Sequence, residues 1–155
     1  MVKKIVWWVL TLLCLSTIFG FSGQSAADSS QVSSSLTASL LSLIPSFNEL
    51  SHLEQAAVVS VAHGIIRDLA HIATFAALGF CVYMLVRSYK LHRSFLTAFP
   101  SCVVVAVADE CLQHILAAGR AFQWSDLLKD WFGALLGTGV AIVVCLVIKG
   151  IRKES

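Results

Sequence analysis

Val107–Gly137, VADECLQHILAAGRAFQWSDLLKDWFGALLG, joins the end of one apolar run to the start of another through a short polar crossing. Asp109 and Glu110 stand near the end of the first run, with Gln113 and His114 close behind, and Gly119-Arg120, Asp126 and Asp130 follow in the crossing. A charged group inside a lipid-facing helix costs about 2.5–3.5 kcal/mol on insertion scales, so such groups are rarely kept without a use. The stretch therefore sets two expectations: apolar helices that cross a membrane, and polar residues that meet where those helices join.

Composition agrees with the first. The 155 residues are 57% hydrophobic and 13% charged, with a mean hydropathy of +0.83; a soluble domain carries about a quarter charged residues. Lys and Arg flank the apolar runs and form no clustered patch, which argues against a nucleic-acid partner. Cys14, Cys81, Cys102 and Cys145 lie in apolar runs and Cys111 lies beside the acids, without a CxxC spacing. They read as small buried hydrophobes.

Outward from the central stretch, four spans emerge. Lys3-Lys4 precede an apolar run from Ile5 to Phe21. It is longer than the h-region of a signal peptide and close to membrane length, so a retained anchor is expected, although Ser25-Ala26-Ala27 offers a cleavage site. Residues 23–50 are Ser-rich, and Leu36, Leu40, Leu41 and Ile44 recur at near-helical spacing. A helix along the bilayer surface and a packed loop both fit. Ser46–Glu49 and Ser51–Glu54 are two S-x-x-E patterns that open a helix by a capping box. That helix is amphipathic through Arg67, then continuously apolar from Ala70 to Val86, with a bend allowed at Gly64. A basic turn over 87–93 leads to a span from Phe95 to Leu116, and a last span runs from Trp131 to Ile148. The fold expected is an all-α four-transmembrane-helix bundle with an amphipathic helix leading into the second span. Its segments are an anchor (1–22), a Ser-rich extracytoplasmic loop (23–50), a three-span core (51–150) and a basic tail (151–155).

The positive-inside rule orients the bundle. With both termini cytoplasmic, the inner side holds Lys3, Lys4, Arg87, Lys90, Arg93, Lys149, Arg152 and Lys153, while the outer side keeps Arg67, Arg120 and Lys129. Arg67, Asp68 and His71 then share one depth with Asp109, Glu110, Gln113, Arg120, Asp126 and Asp130. Arg67/His71 and Asp109/Gln113 are i, i+4 pairs, each on one helix face. Asp126/Asp130 share the spacing if the crossing is already helical. With histidines neutral, Arg67, Arg120 and Lys129 face Asp68, Asp109, Glu110, Asp126 and Asp130, an excess of about two negatives that calls for a proton or a cation. Alternatively Arg67 and Arg120 simply neutralise the acids and pin the helices together. Gly133-Ala-Leu-Leu-Gly137 is a GxxxG pattern, read as close helix packing. His71 and His114 lack partner histidines for haem. No cofactor is expected, with a divalent cation as the one option left by the carboxylates.

These residues resemble the VanZ-like family of small bacterial membrane proteins. The family's Arg-Lys-x-x-His turn corresponds to Arg67-Asp-Leu-Ala-His71, its Asp-Glu-x-x-Gln to Asp109-Glu-Cys-Leu-Gln113, and its Pro-Gly-Arg to Ala118-Gly119-Arg120. Its two later acids and Gly-rich spacing correspond to Asp126, Asp130, Gly133 and Gly137, and its Phe-Ser-x-Gln segment to Phe19–Ser30. Asp68 stands where the family usually has Lys, and Ala118 where it has Pro. The resemblance implies a four-helix protein of the bacterial cell membrane linked, through the namesake, to low-level resistance to the glycopeptide teicoplanin.

Three functions remain open. The outer cluster binds or modulates an envelope component, such as a lipid-linked cell-wall precursor, a membrane lipid or another envelope protein, with Arg67 and Arg120 as anion partners. Alternatively, the protein is a membrane enzyme acting on a lipid phosphate, with His71 as base or nucleophile and Glu110 and Asp126 as acid or Mg²⁺ ligands. The lack of a Ser-x-His or Lys-rich phosphatase signature weighs against the enzyme. The third function is a structural or assembly role with an internal ion network.

Overall fold

The apolar runs of the sequence close their own backbone hydrogen bonds as helices, the form that lets a single segment cross lipid. The computed structural model describes residues 2–91, 93–116 and 121–154. Among them the elements are α1 (Val2–Ser22), α2 (Ala26–Leu41), the single turn α3 (Pro45–Asn48), α4 (His52–Ser88), α5 (Ser94–Leu116) and α6 (Trp124–Glu154). Of these, α1, α4, α5 and α6 are long and apolar enough to cross a membrane.

Local chemistry sets the boundaries. Ser51 caps α4: its hydroxyl accepts from the Glu54 N–H, and the Glu54 carboxylate accepts in return from the Ser51 N–H at 2.9 Å. The other S-x-x-E pattern overlaps α3, which has Pro45 at its start and ends at Asn48. The Ser-rich segment carries α2 as a helix of 16 residues. The last span begins at Trp124 rather than at Trp131. The Gln123 carbonyl accepts from the N–H groups of Asp126 and Leu127, and Asp126 sits in the first turn, where the helix dipole favours an acid. The polar crossing is therefore already helical where it carries its acids. At the far end of α4, Lys90 closes the turn with φ 59, a left-handed conformation.

Two helices form the spine of the bundle. A Cβ on Gly133 would collide with the carbonyl oxygen of Ile72, one on Gly137 with that of Ala76, and one on Gly79 with that of Ala134. The GxxxG pattern and Gly79 thus let α4 and α6 run parallel in backbone contact. Along the same seam the Thr138 hydroxyl donates to the Ala134 carbonyl at 2.7 Å. Around it a core of Ile18, Phe75, Leu78, Cys102, Ala106, Leu127 and Ala134 joins all four long helices. A second group, Tyr83, Ala98 and Ala141, packs nearer the chain termini. There the Trp8 indole N–H donates to the Tyr89 hydroxyl at 3.0 Å, and the Lys4 ammonium lies 4.2 Å from the Tyr89 ring centroid. Outward faces carry exposed Leu, Val and Ile on every long helix, a surface suited to lipid and unsuited to water. All five cysteines are free; Cys81 and Cys102 are buried and Cys111 is exposed.

Candidate functional site

At the end of the bundle away from the chain termini, the spine turns polar. One α4 face presents Arg67 and His71; the facing strip of α6 presents Asp126 and Asp130. Because the helices run parallel, the two i, i+4 pairs meet in the same order as rungs. Arg67 Nη2 lies 2.9 Å from Asp126 Oδ2, and His71 Nδ1 lies 2.9 Å from Asp130 Oδ1. His71 Nε2 is 3.9 Å from Asp126 Oδ2. Lys129 adds a third strand of charge, with Nζ 2.5 Å from Asp68 Oδ1 and 2.9 Å from Asp126 Oδ1.

The α5 acids complete the layer from the other side. Asp109 accepts from the Gln113 amide at 2.8 Å and from the hydroxyl of Ser22 at the end of α1. Glu110 Oε1 accepts from the backbone N–H of Gln123, just ahead of α6, at 2.5 Å. Asp109, Glu110, Gln113, Asp126 and Asp130 are all buried, Asp130 completely. Glu110 Oε2, Asp130 Oδ2 and the Trp131 indole N–H are buried without a hydrogen-bond partner among the described residues. Unpaired buried polar atoms cost about 1–3 kcal/mol each, so their retention needs a reason. No three His, Cys, Asp or Glu side chains among the described residues converge closely enough to hold a metal ion.

Beside this layer lies a cavity of about 290 Å³ between α1, α2, α4 and α5. Its polar wall is Ser22, Arg67, His71, Asp109 and Gln113, and the opposite wall is apolar, from Phe21, Val32, Leu36 and Phe75.

Of the residues expected to form a site, Arg67, His71, Asp109, Glu110, Gln113, Asp126 and Asp130 thus come together. Arg120, with Gly119, lies outside the described residues. His114 is exposed on α5. Three participants escape a reading of the chain: Ser22 as a partner of Asp109, the Gln123 N–H as a donor to Glu110, and Lys129 as the bridge between Asp68 and Asp126. The last was detectable in principle, since Lys129 follows Asp126 by one helical turn and Asp68 adds a negative charge that needs a partner.

A bundle of four apolar helices that turns Arg67, His71, Asp126 and Asp130 toward one another has the form of a multi-pass membrane protein with an internal polar layer. The chain belongs to the VanZ/LLP1 family, whose model matches residues 7–147, nearly its whole length. No curated protein and no solved structure matches it.

Proposed function

We propose that this protein binds or modulates a cell-envelope component through the polar layer formed by α4, α5 and α6. The observation that carries the reading is the convergence of three distant segments on one buried, ion-paired layer that borders a cavity. An internal ion network alone needs no cavity beside it. Lys3, Lys4, Arg87, Lys90, Arg93, Lys149 and Arg152 belong to the end opposite this layer, which supports cytoplasmic termini and an extracytoplasmic site in a bacterial cell membrane. A lipid-linked cell-wall precursor is the favoured ligand, with Arg67 and Arg120 as partners for its phosphate or carboxylate groups. A link to teicoplanin susceptibility follows from that ligand. The test is binding of a polyprenyl-linked precursor to the purified protein in nanodiscs. Arg67→Ala and Arg120→Ala are expected to weaken it by about tenfold or more, the loss of one charged hydrogen bond; undiminished binding by both variants rejects the reading.

A second reading, a membrane enzyme acting on a lipid phosphate, is favoured by one pair. A buried carboxylate on His71 Nδ1, with Nε2 turned from it, is how a general base is oriented. Phosphate release from a polyprenyl phosphate, dependent on a divalent cation and lost in His71→Ala, would establish it; no release with or without Mg²⁺ would remove it.

A further inference from the structure

The cavity beside the polar layer is two-sided in its chemistry. Ile18, Phe21, Val32, Leu36, Ile66 and Phe75 give it an apolar wall, and Ser22, Arg67, His71, Asp109 and Gln113 a polar one. Its volume of about 290 Å³ has room for about ten water-sized or methylene-sized groups at about 30 Å³ each. Water alone is a poor filling for the apolar side, where it would find no hydrogen-bond partners. Nor do neighbouring side chains fill it: Val32 and Leu36 of α2 are each 57% exposed although both line it. The surrounding helices present apolar side chains outward, so the nearest source of a filling group is the bilayer.

The polar wall says how such a guest would be oriented. Arg67 uses Nη2 on Asp126 and keeps 38% of its side chain exposed, leaving further N–H donors of the guanidinium available at the cavity. A head group that accepts hydrogen bonds, carboxylate or phosphate, fits that donor. We propose that the cavity between α1, α2, α4 and α5 is a binding site for the apolar chain of one membrane amphiphile, whose acceptor head lies toward Arg67. The proposal rests on the head-group reading of the polar layer and adds a seat for the chain.

The test uses the full chain in nanodiscs and a fatty acid carrying a photoreactive diazirine in mid-chain. Label is expected on Phe21, Leu36, Ile66 or Phe75, mapped by peptide mass spectrometry. Leu36→Trp and Ala70→Phe each fill the cavity from an exposed position, so folding should survive, as a thermal melt checks. Both are expected to lower that label by about tenfold. Label scattered over outward residues such as Leu13, Val104 and Val143, or unchanged in both variants, overturns the proposal. The precursor assay reports separately: full binding by Arg67→Ala and Arg120→Ala, with cavity label still blocked by Leu36→Trp, rejects the head-group reading and leaves the chain seat standing.

Discussion

His71 and Asp130 show how much one pair decides. Each is costly alone inside an apolar bundle, and each is tolerated because the other stands 2.9 Å away. Removing one member of a buried pair typically costs about 3–5 kcal/mol, whereas an apolar replacement of both is milder. Thermal unfolding of His71→Phe, Asp130→Leu and the double variant should therefore give two large losses and a double loss well below their sum. The Asp68–Lys129 pair should behave differently. Asp68 is half exposed, and exposed pairs contribute at most about 1 kcal/mol. Asp68→Ala is expected to leave the melting temperature almost unchanged. Asp68 also illustrates what single residues hide: as a departure from the family's Lys it looks like a lost cation, yet Lys129 supplies a cation from the facing helix.

Among the elements, α4 and α6 carry the tightest constraint. Gly137→Leu drives a side chain into the Ala76 carbonyl, and overpacking of this kind costs about 1–3 kcal/mol or more. Gly139, with nothing within 4 Å of its Cβ position, is the control; Gly139→Ala should be neutral or stabilising by about 0.5–1 kcal/mol, as Gly→Ala within a helix is. Melting curves of the two variants check both. Helix existence and order were legible in the sequence because four apolar runs with basic ends admit few other arrangements. The start of α6 was not, since a stretch holding Asp126, Lys129 and Asp130 has the composition of a loop. The facing α4 residues, together with Asp126 at the favourable end of the helix dipole and its pair with Lys129, make it favourable as helix. Likewise the i, i+4 spacings put Arg67 with His71 and Asp126 with Asp130, but the pairing between helices depends on a register that spacing alone does not fix. Ser22 on Asp109 required knowing that α1 lies against α5.

Taken as a whole, the molecule runs its four long helices alternately up and down, which brings both chain ends to the same face. Epitope tags on the two termini should be cleaved or labelled from one side of sealed vesicles, and from the same side. Labelling from opposite faces would contradict the arrangement of α1 beside the end of α4, where Trp8 meets Tyr89. The extent of α4 has a further consequence. Its 37 residues amount to about 55 Å at 1.5 Å each, against a hydrocarbon slab of about 30 Å. Residues 67–88 alone cover about 33 Å, so with Ser88 at one boundary, Arg67 reaches the other. The ion pairs then sit at the rim of the oily layer, within reach of the polar ends of lipids, and the helix ahead of them stands clear like a mast to which α2 is moored through Ser33 and His63, 2.7 Å apart. A thicker bilayer would climb that mast and press on α2, so the depth of the surrounding lipid becomes a variable to which the cavity can respond.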